Sequence, residues 1–122
     1  MKLNTILYVL DQAASRAFYA KTLGMEPRLD VPGMTEFELF GGCVLGLMPE
    51  RGIKRLLPDL PAPAPGAKAE VYLTVADPAA YHARALGAGA RELSPLGPRD
   101  WGDRAAYSLD PDGHVLAFAA PL

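Results

Sequence analysis

The sequence predicts an α+β protein made of two βαβββ modules. Three observations carry that prediction: an internal repeat, a matched pair of capped helices, and a proline-rich stretch between the copies. A repeat constrains architecture more firmly than residue propensity, because both copies must satisfy one packing pattern. A shift of sixty-six positions superposes Leu7 on Leu73, Val9 on Val75, Asp11 on Asp77, and Ala13, Ala14 and Ala17 on Ala79, Ala80 and Ala83. A shift of seventy to seventy-one aligns the second halves, placing Phe37 and Leu39 on Tyr107 and Leu109, and Val44, Leu45 and Leu47 on Val115, Leu116 and Phe118.

In each copy an alternating apolar segment ends at an Asp suited to N-capping, and alanine-rich helix formers follow. Pro78 sits at a first helical position, where its missing N–H costs nothing. Leu23-Gly24 and Leu86-Gly87 are expected to close the two helices with a glycine. Each copy then ends in a hairpin. The second turns at Asp110-Pro111-Asp112-Gly113, in which proline presets one dihedral and glycine supplies the positive one, and Gly41-Gly42 does the same in the first. Strands are expected near 3–10, 26–31, 34–41, 43–48, 69–75, 90–93, 104–109 and 114–120, with helices near 12–22 and 78–87. The modules then cover 1–50 and 69–122. Between them, residues 51–68 are read as a linker, since Pro58, Pro61, Pro63 and Pro65 argue against a helix or a central strand. It is either a stiff polyproline spacer or a flap over a binding cavity, because Arg51, Lys54, Arg55, Leu56 and Leu57 mix charge with apolar groups.

At 122 residues, half of them apolar, the chain is long enough to bury a core without staples. No apolar run reaches the length of a membrane span, and MKLNTILYVLD meets Asn4 and Asp11 too soon for a signal peptide, so a cytoplasmic setting without membrane contact is expected. The single Cys43 cannot form an internal disulfide and is expected in the core. A net charge of −2 without a basic block points away from nucleic acid and toward a small molecule or a protein partner. Of the two histidines, His82 reads as a solvated helix residue and His114 as a turn residue. Asp110 and Asp112 are explained by turn chemistry rather than by paired-carboxylate catalysis.

The stretch ILYVLDQAASRAFYAKTLGMEP and the later WGDRAAYSLDPDGHVLAFA together resemble the vicinal oxygen chelate superfamily of glyoxalases, extradiol dioxygenases and fosfomycin and bleomycin resistance proteins. The resemblance spans nearly the whole chain and implies curved mixed sheets around a cavity, helices on the outer face, and a homodimer. It also implies a divalent metal held by the first and last strands of each module. By alignment those positions are Asn4, Gly46, Glu70 and Ala117, of which only Glu70 offers a strong donor. No metal and no other cofactor is therefore expected. The same positions give the cavity face, since strand side chains alternate: Asn4, Ile6 and Tyr8; Val44, Gly46 and Met48; Glu70, Tyr72 and Thr74; Val115, Ala117 and Ala119. Tyr107 matches a ligand-facing position of fosfomycin resistance relatives, and Phe37 is its repeat mate. Trp101 either walls the pocket or closes the sheet edge. Small Gly46 and Ala117 are expected to leave room for an organic ligand in a mostly apolar site. The expected function is metal-free binding of a small organic molecule. The alternatives are a metal-free isomerase or lyase with Glu70 as a desolvated general base, a metal-dependent glyoxalase-type lyase or dioxygenase, and a dimerising module that binds another protein.

Overall fold

A computed structural model describes residues 1–122. The elements run β1 (Leu3–Val9), α1 (Gln12–Leu23), β2 (Leu29–Val31), β3 (Met34–Phe40), β4 (Cys43–Pro49), α2 (Glu50–Leu56), β5 (Glu70–Thr74), α3 (Pro78–Gly87), β6 (Arg91–Pro98), β7 (Asp103–Leu109) and β8 (Val115–Pro121). They form two four-stranded sheets of identical topology, ordered β1-β4-β3-β2 and β5-β8-β7-β6. In each, the first strand lies parallel to the last and the remaining pairs are antiparallel. A parallel neighbour cannot be reached by a tight turn, so a helix and two strands intervene before the chain returns beside its first strand. The chain is thus α+β with two βαβββ modules. Its compact units are Met1–Ala20 with Gly24–Ala64, and Lys21–Leu23 with Pro65–Leu122, so the division falls inside the proline-rich stretch.

The capping chemistry operates in both copies. Asp11 Oδ1 accepts from Ala14 N at 3.0 Å, and Asp77 Oδ1 accepts from Ala80 N at 3.1 Å. Gly24 ends α1 in the left-handed region, at φ 67°. The end of α3 differs from expectation. Gly87 is its last helical residue and Ala88 its cap, while the positive φ, 106°, belongs to Gly89. The amide of Ala88 bonds the Arg84 carbonyl, so the helix continues through the first glycine and the second turns the chain.

The linker expectation is corrected at its start. Glu50–Leu56 is a helix, with Ile53 buried beneath it. The first proline of the stretch is Pro58, and proline restricts itself and the residue before it, so nothing forbids a helix that stops at Leu56. Residues Lys54 to Glu70 are all exposed. Strand β6 also runs past its expected end. It continues through Pro95 to Pro98 because it is an outer strand, where a missing N–H costs no ladder bond.

Residues opposite one another in a ladder share a sheet face. One face of the second sheet carries Leu116, Phe118, Ala106 and Ser108, all buried, and α3 lies against β6, β7 and β8. There Tyr81 meets Phe118 with ring centroids 5.4 Å apart. Burial of Leu116 or Phe118 contributes roughly 1.5–3 kcal/mol each. In the first sheet, Phe37, Leu45, Leu47, Thr35 and Val9 are buried, and Phe18 and Tyr19 of α1 meet edge to face at 5.0 Å.

Candidate functional site

The remaining face of each sheet holds the positions singled out by the repeat. In the second sheet the register sets Tyr72, Ala117, Tyr107 and Ser94 side by side in one row across four strands. Glu70, Val115 and Leu109 form the row to one side, and Thr74, Ala119 and Ala105 the row to the other. Ala117 lies between the two tyrosines in this row and has no exposed surface.

The turn from β6 to β7 closes onto this face. Arg99 N donates to the Asp103 carbonyl at 2.7 Å, and Gly102 supplies the positive φ of 96° that so short a turn requires. This brings Trp101 Nε1 to 3.1 Å from the Tyr72 hydroxyl, to which it donates. Tyr72 in turn donates to Asp103 Oδ2 at 2.6 Å. That bond holds the Tyr72 phenol above its ordinary pKa, because ionisation would set a phenolate against a carboxylate; the Trp101 donor opposes the shift. Trp101 itself remains 54% exposed.

Arg99 joins β6 and β7 beside Tyr107. Its Nη2 donates to Ser94 Oγ (2.8 Å) and to the Pro95 and Ala105 carbonyls (3.1 and 2.8 Å), and its Nε also reaches Ala105 O at 3.2 Å. The guanidinium carbon lies 5.4 Å from the centre of the Tyr107 ring. Tyr107 is half-buried, and its hydroxyl has no hydrogen-bond partner in the chain. Burial first, then the Glu70 carboxylate, raises its pKa, with Arg99 acting in the opposite sense. Glu70 is exposed and has neither an ion-pair nor a hydrogen-bond partner, which corrects the expectation of a desolvated base.

The corresponding face of the first sheet is different. Asn4, Ile6 and Tyr8 are exposed along β1, opposite Val44, Gly46 and Met48. Gly46 is not a vacant floor. A Cβ there would stand 3.2 Å from Ile6 Cγ1 and 3.3 Å from Met34 Sδ, so those two side chains already take the space the glycine was expected to release. Met48 is half-buried and faces α2, where a Cβ on Gly52 would lie 3.6 Å from its methyl group.

Phe37 is corrected as well. It pairs with Leu45 and is fully buried, on the face opposite Gly46. The residue opposite Gly46 is Glu36, just as Tyr107 is opposite Ala117, so the true offset at this row is seventy-one. The β3–β4 hairpin contains an irregularity between Glu38 and Phe40, and a one-residue slip reverses the face of every side chain counted across it. Glu36 accepts from Arg28 Nε and Nη2 at 3.2 and 2.7 Å.

His82 is not solvated. It is buried beneath α3, with Nε2 2.8 Å from Glu92 Oε2. The helix turns this position toward β6, whose Glu92 satisfies one ring nitrogen. Asp110 behaves as turn chemistry requires, accepting from the amides of Asp112 and His114 at 2.9 and 2.8 Å. Cys43 is half-buried at the start of β4 rather than in the core.

The four aligned metal positions do not fit a divalent ion. Within the first unit Gly46 offers no donor and is overlain by Ile6 and Met34; within the second, buried Ala117 offers none beside Glu70. No three His, Cys, Asp or Glu side chains gather anywhere in the chain.

Two mixed four-stranded sheets in duplicate βαβββ units define the class of protein, that of the vicinal oxygen chelate fold. The chain belongs to the Glyoxalase/Bleomycin resistance protein/Dioxygenase superfamily, whose family model matches residues 2–118. It is 29% identical to the uncharacterized protein Mb0911c of Mycobacterium bovis, over 98% of this chain and 83% of that one. Among solved structures it is similar to a glyoxalase-related enzyme from Fulvimarina pelagi, at TM-score 0.84 and 22% identity over 98% of this chain and 87% of the other. It is also similar to a glyoxalase/bleomycin resistance protein/dioxygenase from Nocardioides, at TM-score 0.78 and 25% identity over 100% and 83%.

Sequence reasoning assigned no role to Arg99, Asp103, Glu36 or Arg28. Asp103 had a signal, seated at the head of the strand that carries Tyr107. Glu36 would have emerged from an offset of seventy-one held constant through both hairpins.

Proposed function

We propose that the chain binds a small organic molecule, without metal, on the face of the second sheet that carries Tyr72 and Tyr107. The observation that supports this most directly is the unpartnered hydroxyl of Tyr107, which stands across Ala117 from Tyr72, while Tyr72 is fully engaged by Trp101 and Asp103. A few fixed polar groups beside aromatic rings suit recognition of a flat, partly apolar ligand. The same reading includes a cytoplasmic homodimer. Exposed Leu3, Ile6 and Tyr8 along the outer strand β1 are the kind of surface a second copy covers. An isomerase or lyase using Glu70 as base gains no support from an exposed, solvated carboxylate.

Trp101 is the only tryptophan and reports on this face directly. Titration with a panel of planar aromatic compounds is expected to change its emission saturably, and Tyr107→Phe is expected to weaken that binding about fivefold through the lost hydrogen bond. The reading fails if no compound perturbs Trp101, or if binding ignores both Tyr107→Phe and Trp101→Phe, the latter followed by calorimetry because it removes the reporter.

A further inference from the structure

The charges on the second face are unequally spent. Arg99 is committed to Ser94, Pro95 and Ala105, and Asp103 accepts the Tyr72 hydroxyl. The other carboxylates of the two sheets are engaged likewise: Glu36 and, at 3.9 Å, Glu38 by Arg28, Asp30 by Arg16, and Glu92 by His82. Of the acidic residues on the strands of the second face, Glu70 has no partner, and it lies one row along from Tyr72, Ala117 and Tyr107. The rings of Tyr72 and Trp101 border the same row, and aromatic rings attract cations, as the Arg99 guanidinium over Tyr107 already shows.

Resting on the function proposed above, we infer that the ligand of this face carries a protonated amine beside a planar ring, with the ammonium directed to Glu70 and an acceptor atom to Tyr107. An anionic ligand would meet an uncompensated carboxylate, and the guanidinium able to offset it is already saturated by the chain on two of its nitrogens. A neutral ring would leave Glu70 without a partner, though still hydrated, and so would gain only the stacking.

Three probes that share one ring separate these cases: 2-naphthylmethylamine, 2-naphthylmethanol and 2-naphthoate, titrated by calorimetry at low salt. The amine is expected to bind about fivefold more tightly than the alcohol, the scale of one solvent-exposed ion pair, and the carboxylate more weakly than either. Raising the salt concentration should compress that order, because the pair is screened. Glu70→Gln should bring the amine down to the alcohol and leave the alcohol unchanged. That variant alters an exposed side chain, and an unchanged melting temperature would establish that it folds. Equal affinities for the amine and the alcohol, or an amine preference that survives Glu70→Gln, would overturn the inference while leaving the binding face intact. If none of the three binds at millimolar concentration, the inference and the proposed function fall together.

Discussion

The two sheets share one topology and treat one row in opposite ways. In the first, the row through Gly46 is sealed: Ile6 and Met34 crowd the glycine, and its only acid, Glu36, is neutralised by Arg28, with a side chain just 16% exposed. In the second, the row through Ala117 is flanked by two tyrosines and keeps an unpartnered phenol, and the next row carries an unpartnered carboxylate, Glu70. Duplication supplied the same scaffold twice, and the polar pairing decides which copy is left with chemistry to offer. Residual bonding capacity distinguishes the two faces where fold symmetry does not.

The widest gap between the copies should appear at the positions that the repeat equates and the register separates. Phe37→Ala removes a fully buried ring and is expected to cost about 3–5 kcal/mol in denaturant unfolding. Tyr107→Phe keeps the ring and deletes an unbonded hydroxyl, so its stability should stay within about 0.5 kcal/mol of the parent. Similar losses at both sites would mean that the register of β3 is misassigned.

A smaller contrast tests the charges. Arg28→Met strands Glu36, which is largely covered, and should cost about 1–2 kcal/mol. Glu70→Gln breaks no pair and should leave the melting temperature nearly unchanged. Equal destabilisation would show that Glu70 has a partner after all.

The finest contrast lies in alkaline behaviour. The folded pKa of Tyr72 is raised, first by its bond to Asp103, above the ordinary tyrosine value near 10. Its contribution to stability is therefore fully present below that value and is lost as pH rises through the folded pKa, since the unfolded chain gives up its proton first. Asp103→Asn should lower the phenolate midpoint seen by ultraviolet titration and flatten this part of the pH dependence of unfolding. An unchanged titration would remove Asp103 as the cause.

Much of the fold was legible because it is written in local chemistry. Asp11 and Asp77 cap helices within three residues of themselves, and Asp110 organises a turn within four, so propensity and geometry agree. The arrangement of the candidate site was legible only in outline. Tyr72, Glu70, Tyr107 and Ala117 share a face as alternation requires, whereas Phe37 was lost to a single irregularity in a hairpin that leaves no mark in residue type. Trp101 was visible as an isolated tryptophan, yet its partner lies on a strand twenty-nine residues away, a pairing set by the turn at Gly102. The helix at Glu50–Leu56 was hidden because prolines that follow it were allowed to speak for residues they do not constrain.

The outermost strands bear on a different property, the tendency of sheets to polymerise. An exposed edge is a template for another chain, and the two modules blunt theirs by unrelated means. Strand β2 is only three residues long and offers little ladder to copy. Strand β6 is eight residues long, but Pro95 interrupts it and its register shifts twice along its length. Replacing Pro95 would extend the set of amides available along that edge, and the chain would be expected to aggregate from this strand before any other part of the second module gave way.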